Sequence, residues 1–333
     1  MKRKEWAANF PVLAQVFLLL TVVGAGVHSA NAAGEDPVLV PTASFALADA
    51  GRVTRVAMSP EGTLLAVATQ ERLGAPVTLR SYDASTGEVV ATVEAKILGL
   101  YRLHWMADNR LVAADRDARP GWRIWNGSTL QELPTLSQDL TCSDGPANRN
   151  TGAVYSSAGI TSMSDVICRF DSRDGSTRRS AESVLVGAER FWVRAGTNEI
   201  AVLHSPDPEV SLELVFLDGD TLAPKNTMPV QFDESVEAVG QTAWISNTFT
   251  RKARLEPGAI PVEYRGPINT SGAGRFFVHA NGMDDLVIIS ATDGKVVGTM
   301  PAGMNVAAFA AWSLDDSWFV RLTVDQKVEV YHF

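Results

Sequence analysis

Several charged side chains stand just before or within the apolar runs that open the successive segments of this chain. They are Arg52, Arg55, Arg102, Asp139, Glu189, Arg190 and Glu237. An arginine can bind a carboxylate or a phosphate through two parallel N–H groups. We therefore predict that Arg55, Arg102 and Arg190, together with His104 in YRLHW, are ligand-binding residues. Ordinary solvated loop charges, and a packed histidine at position 104, are the alternative interpretation.

Local motifs for metal binding or nucleophilic catalysis are missing from the sequence. The five histidines show no H-x-x-x-H spacing, and there is no G-x-S-x-G and no Walker-type loop. Acidic pairs such as Asp115/Asp117 and Asp315/Asp316 fall in predicted turns, where Asp is common for conformational reasons. We therefore assign no catalytic residue, no metal site and no cofactor.

The sequence contains two cysteines, Cys142 and Cys168. An even number of cysteines in an exported chain favours a disulfide. If the two residues lie on the first and third strands of one sheet, they are roughly 9 to 10 Å apart and need a bulge to meet. A disulfide and two buried, reduced thiols therefore both stay open.

These residues belong to a chain with an internal repeat. An apolar run followed by a polar tetrad recurs as YDASTG at Tyr82, IWNGSTL at Ile124, RFDSRDG at Arg169, VFLDGDTL at Val215 and ISATDG at Ile289. The steps are about 43 to 47 residues, and the last step is long enough for two units. Glu256-Pro257-Gly258 lies near the middle of that step and supplies the missing turn.

Each unit has the pattern of a four-stranded antiparallel meander. In the first unit, four apolar runs (RVAM, LLAVAT, VTLRSY and EVVATV) are separated by turns rich in Gly, Pro and Asp. Units of this kind at this period predict an all-β, seven-bladed β-propeller, with six or eight blades as alternatives. The last unit lacks its fourth strand, and a surplus strand lies at Pro41–Ala48. We expect that N-terminal strand to complete the last blade and close the ring.

The segment SPEGTLLAVAT, followed by a third strand and YDASTGEVV, resembles the WD40-like (PD40, TolB-type) repeats of bacterial β-propellers. A second copy, SLDDSWFVRLT, runs from Ser313 to Thr323. The resemblance covers the first two and last two units well and the middle units poorly. It implies a fold, and one fold serves many functions.

The N-terminus has the three parts of an export signal: MKRK, an apolar stretch from Pro11 to Val27, and Ala30-Asn31-Ala32. We predict a signal peptide at 1–32, one propeller domain at 33–333 and a periplasmic or secreted protein; an uncleaved membrane anchor is the alternative. We expect no integral membrane segment after cleavage. The formal charge of −9 argues against nucleic acid as a partner.

Taken together, these features favour a non-catalytic binding module that holds a protein or a small ligand at the channel mouth. Trp122, in RPGWRIW after a Pro-Gly turn, is expected near the rim, where it could anchor a partner. A lactonase-like hydrolase or the propeller subunit of an oxidoreductase is the alternative function.

Overall fold

The structure, a computed structural model, describes most of the chain from residue 36 onward. The described residues are 36–47, 51–72, 74–97, 99–115, 122–134, 145–158, 166–180, 190–207, 211–231, 233–247, 249–250, 252–263, 268–281, 285–301, 309–323 and 325–333. Within these ranges the chain forms strands and turns and no helix. A search of the same ranges for an apolar helix of membrane-spanning length finds none. The predicted signal peptide lies outside the described residues.

In the described part of the chain, twenty-seven strands form seven small antiparallel sheets, which we number as blades in chain order. Blade 1 contains β2 (Arg52–Met58), β3 (Leu64–Gln70), β4 (Val77–Asp83) and β5 (Val89–Glu94). Blade 2 contains β6 (Leu100–Trp105), β7 (Arg110–Asp115) and β8 (Trp122–Asn126). Blade 3 contains β9 (Ala147–Asn148), β10 (Ala153–Ala158), β11 (Val166–Asp171) and β12 (Thr177–Arg179).

The remaining blades follow the same order. Blade 4 contains β13 (Arg190–Arg194), β14 (Glu199–Asp207), β15 (Ser211–Asp218) and β16 (Pro224–Val230). Blade 5 contains β17 (Glu234–Val239), β18 (Ala243–Asn247), β19 (Lys252–Glu256) and β20 (Ile260–Glu263). Blade 6 contains β21 (Ile268–Thr270), β22 (Phe276–Asn281), β23 (Asp285–Ser290) and β24 (Val296–Pro301). Blade 7 contains β25 (Ala310–Trp312), β26 (Trp318–Leu322), β27 (Lys327–His332) and, at its outer edge, β1 (Ala43–Ala46).

The hydrophobic core lies between the blades. Seven clusters of buried residues each join two neighbouring blades, and one of them joins blade 7 to blade 1. Trp105, Trp125 and Trp244 are fully buried in these clusters. Each of these tryptophan rings contributes roughly 2 to 3 kcal/mol to the stability of the fold through the apolar surface that it removes from water. The protein is therefore a closed seven-bladed β-propeller, as the repeat predicts.

The repeated polar tetrad is the turn between the third and fourth strands. The Oδ1 atom of Asp83 accepts hydrogen bonds from the backbone N–H groups of Ser85 and Thr86, both at 2.9 Å. The Oδ1 atom of Asn126 accepts the equivalent bonds in blade 2. Gly87 adopts a φ of 76°, which L side chains rarely adopt. The repeat thus encodes turn geometry, as expected from the sequence.

The ring is closed by the N-terminal strand. β1 pairs antiparallel with β27, with Ala43 opposite Val330 and Ala46 opposite Lys327. This confirms the strand predicted at Pro41–Ala48. The preceding residues also lie on the ring, because Val38 forms a parallel bridge to Thr299 on the outer strand of blade 6. The segment 36–46 therefore spans the outer edges of blades 6 and 7.

Cys168 is buried on β11 and is disulfide-bonded. The other cysteine in the sequence is Cys142, so two reduced thiols are not the state of this chain. Cys142 itself lies outside the described residues. A position for it on the first strand of its blade, and the separation of roughly 9 to 10 Å that would follow, stay predictions.

Candidate functional site: the central channel

The first strands of the seven blades surround a central channel that contains a cavity of about 530 Å³. The cavity is lined chiefly by the second halves of these strands and the turns that follow them. Its lining residues include 56–58, 102–105, 146–150, 191–196, 269–272 and 310–312. Most polar groups of this cavity therefore come from the ends of the first strands and from the turns that follow them.

Arg149 occupies the point where several first strands end. It lies in the turn after β9 of blade 3, and its guanidinium contacts backbone carbonyls of three other blades. Its Nε donates to the Trp105 carbonyl at 2.7 Å, Nη1 to the Trp312 carbonyl at 2.6 Å, and Nη2 to the Met58 carbonyl at 2.6 Å. We call Arg149 and these three carbonyls the Arg149 cluster. It links blades 3, 2, 7 and 1 at one end of the channel.

The charge of Arg149 has no carboxylate partner among the described residues. Its hydrogen bonds among the described residues are all to backbone carbonyls. Burial lowers the pKa of its guanidinium to about 10, with Asp316 partly opposing the shift. Asp316 is itself occupied, because its carboxylate accepts hydrogen bonds from Ser271 Oγ at 2.7 Å and from the Ala273 N–H at 2.6 Å. Removing a cation from water without a paired anion is costly.

His104 lies beside this cation on β6. Its Nε2 is 3.2 Å from the carbonyl oxygen of Gly145, so the neutral ring carries its proton on Nε2. Burial lowers the pKa of His104 to about 4, the Gly145 carbonyl opposes this, and the charges of Arg102 and Arg149 lower it further. The imidazole is therefore neutral at pH 7. Gly145 is required here, since a Cβ at this position would lie 1.6 Å from the Tyr155 carbonyl oxygen.

Arg194 is the other arginine at the end of a first strand. Its Nη1 is 2.7 Å from Glu199 Oε2, and its Nη2 donates to the Gln241 carbonyl at 2.9 Å. The side chain thus links blade 4 to blade 5 and carries its own counter-ion. Arg194 lines the same cavity as Arg149, but it has a carboxylate partner, whereas Arg149 has none among the described residues.

The structure separates the residues predicted from the sequence into two groups. Arg102 and His104 line the cavity. Arg55 is half-buried next to a register shift in β2, and its Nη1 contacts the Thr54 carbonyl at 2.6 Å. Arg190 is exposed at the start of β13. Neither of these two arginines is among the lining residues.

Trp122 lies in the interior and not on the rim. Its side chain is 3% exposed, and its ring stacks on Phe170 with centroids 6.0 Å apart, between blades 2 and 3. A ring buried in this way contributes to blade packing.

Arg149 was not singled out from the sequence. Its place in the repeat could have marked it. The turns after four other first strands begin with the uncharged pairs Ser-Pro, Met-Ala, Ser-Gly and Ser-Leu, whereas the turn after β9 begins with Arg149.

Among the described residues, no group of three or more His, Cys, Asp and Glu side chains is arranged to hold a metal ion. The four cavity side chains considered above instead supply hydrogen-bond donors and positive charge. The arrangement can bind a polar or charged group without covalent chemistry.

The fold and this channel define the chain as a seven-bladed β-propeller with a cationic central cavity. No protein-family description matches the chain, and no curated protein matches it. Among solved structures it is similar to a chain of Kuenenia stuttgartiensis hydrazine synthase, with 12% sequence identity and a TM-score of 0.57 over 86% of this chain and 96% of that chain. Because 1305 solved chains match, this similarity identifies the fold alone.

Proposed function

We propose that the protein is an exported, non-catalytic binding module that holds a small ligand in its central channel. The observation that carries this proposal is the cavity of about 530 Å³, whose size falls within the range usual for small-molecule sites. Export is supported by the tripartite N-terminal sequence, and the SPEGTLLAVAT-type repeats support membership of the WD40-like bacterial propellers.

The lining of the cavity supports binding. Buried apolar side chains such as Met58 and Leu103 adjoin hydrogen-bonding groups on His104, Arg149 and Asn150. A few directed polar groups within an apolar surround are what fix the orientation of a small ligand. A rigid ring of seven packed blade interfaces also keeps these groups in place before the ligand arrives, which lowers the entropy cost of binding.

Equilibrium dialysis against the small-molecule fraction of a periplasmic extract, followed by mass spectrometry, tests the proposal. The test variant is Asn150→Trp, which adds an indole at an exposed position that lines the cavity. The matched control is Asn226→Trp, at an exposed position on the outer strand of blade 4. We expect a compound retained by the wild type and by the control and lost from Asn150→Trp. Retention of no compound, or equal retention by both variants, would overturn the proposal.

A further inference from the structure

We infer that the ligand of this channel carries an oxyanion group, a carboxylate or a phosphate, which binds Arg149. This inference rests on the proposed function and names the chemical class of its ligand. The described lining residues include the cationic side chains of Arg102, Arg149 and Arg194 and no Asp or Glu. In a chain with a net charge of −9, a cavity lined in this way is a local exception.

Arg149 has hydrogen-bonding capacity to spare. A guanidinium has five N–H groups, and the Trp105, Trp312 and Met58 carbonyls take one each from Nε, Nη1 and Nη2. Among the described residues, one N–H on each Nη has no hydrogen-bond acceptor. The oxygens of a carboxylate or phosphate are acceptors that a guanidinium binds strongly.

The three carbonyls hold the guanidinium in position without cancelling its charge. A backbone carbonyl is a dipole, whereas an oxyanion supplies a full negative charge to the partly buried cation. The same carbonyls restrict the side chain to one orientation, so ligand binding does not carry the entropy cost of ordering a long arginine side chain. Arg149 is therefore preorganised for an anion.

Arg194 is a poorer candidate for this role, although it lines the same cavity. Its Nη1 is already 2.7 Å from Glu199 Oε2, and Lys225 Nζ lies 3.4 Å from the other oxygen of that carboxylate. An incoming oxyanion would meet a charge pair there, and the Glu199 carboxylate would repel it. At Arg149 no described carboxylate forms an ion pair.

His104 provides an independent measure of the charge in the cavity. The charges of Arg102 and Arg149 are among the causes that keep the pKa of its imidazole low. A bound oxyanion offsets those charges and favours the protonated ring. We therefore expect an oxyanion that binds Arg149 to raise the pKa of His104, whereas a neutral ligand supplies no negative charge that could do so.

The test titrates the purified protein with succinate and inorganic phosphate, and with succinamide as the uncharged counterpart of succinate. Probe concentrations reach about 50 mM, which detects millimolar affinity. The ring proton signals of His104, assigned with a His104→Gln variant, report its pKa by NMR. We expect succinate, phosphate or both to raise that pKa by at least about one unit and succinamide to leave it unchanged. A response to one probe alone identifies which oxyanion the site takes.

Two variants locate the site. Arg149→Met should lower the affinity for the effective anion at least about tenfold. Arg123→Met removes an arginine that pairs with Glu132 outside the cavity and should keep wild-type affinity. If Arg149→Met does not fold, the titration of His104 in the wild type decides whether an oxyanion binds in the cavity.

An unchanged pKa of His104 with both anions overturns the oxyanion inference, as does equal binding of succinate and succinamide. The dialysis experiment with Asn150→Trp reports separately on the proposed function. A neutral compound that is retained by the wild type and lost from Asn150→Trp would leave channel binding in place and reject the oxyanion.

Discussion

Arg149 and Arg194 stand at the ends of neighbouring first strands, line one cavity and each donate to backbone carbonyls of other blades. They differ in what neutralises them. Arg194 has Glu199 at 2.7 Å, whereas Arg149 has three carbonyls and no ion pair among the described residues. One arginine therefore has its counter-ion within the chain, whereas the other is held by backbone carbonyls and has no counter-ion among the described residues.

The largest expected effect is on stability. Arg149→Met removes hydrogen bonds to blades 1, 2 and 7 and should lower the free energy of unfolding by about 3 to 5 kcal/mol. Arg194→Met leaves the partly exposed Glu199 able to meet water or Lys225, so we expect a loss of about 1 to 2 kcal/mol. Urea denaturation of both variants measures the difference. Equal losses in the free energy of unfolding would show that the hydrogen bonds of Arg149 to three carbonyls stabilise the protein no more than the contacts of Arg194 do.

The next effect is a pH dependence on the Arg149 side of the cavity. The pKa of His104 is about 4 in the folded protein and about 6.5 in an unfolded chain, so the unfolded state binds more protons between those values. The free energy of unfolding should therefore have its full value above pH 6.5 and fall by about 2 to 3 kcal/mol as the pH drops to 4.

Urea denaturation as a function of pH tests this dependence, with His104→Gln as the comparison. The variant should have a flatter profile over the same range. A wild-type profile that is no steeper than that of the variant would contradict the assignment.

A smaller effect sharpens the comparison from the other side. Glu199→Gln leaves Arg194 without its carboxylate and should cost about 1 kcal/mol, because the pair is partly exposed. The change makes Arg194 resemble Arg149 electrostatically. We therefore expect succinate to raise the midpoint of thermal unfolding more in this variant than in the wild type. An identical response to succinate would mean that Glu199 does not control anion access to Arg194.

The smallest effect is expected in the repeated turns, where charge is dispensable. Asn126 accepts through Oδ1 the same two backbone hydrogen bonds that Asp83 accepts. Asp83→Asn should therefore change stability by about 0.5 kcal/mol or less, and Asp83→Ala should cost about 1 kcal/mol. Chemical denaturation of the two variants distinguishes loss of charge from loss of the acceptor. A large cost for Asp83→Asn would contradict the equivalence of these turns.

The sequence allowed the turns and the blades to be predicted because both depend on local chemistry that recurs. Asp83 and its counterparts meet the N–H groups two and three residues ahead, so the pattern and the contact lie in the same few letters. Blade closure by β1 was predictable for a related reason, since a missing fourth strand and a surplus strand indicate each other.

The site was less predictable because it is assembled from strand ends in different blades. Arg102 and His104 were found through their place on a first strand, but Arg149 follows a first strand of two residues, Ala147–Asn148, which has no apolar run to mark it. Its three acceptors are backbone carbonyls, which are the same for every residue type. Trp122 was misplaced because the turn before it marks a strand start without revealing which neighbour covers the ring.

The pairing of β1 with β27 has a consequence for how the chain is made. Thr42 Oγ1 donates to the Val330 carbonyl across 288 positions of sequence, so the strand synthesised early has no partner until nearly all of the remaining chain has been synthesised. Contacts of such separation form slowly, because a long loop must close before they stabilise anything. Until then blade 7 has an open edge and blade 1 lacks one neighbour. Completion of the ring therefore requires residues 42 to 330 to be present, and until then β1 is an unpaired strand.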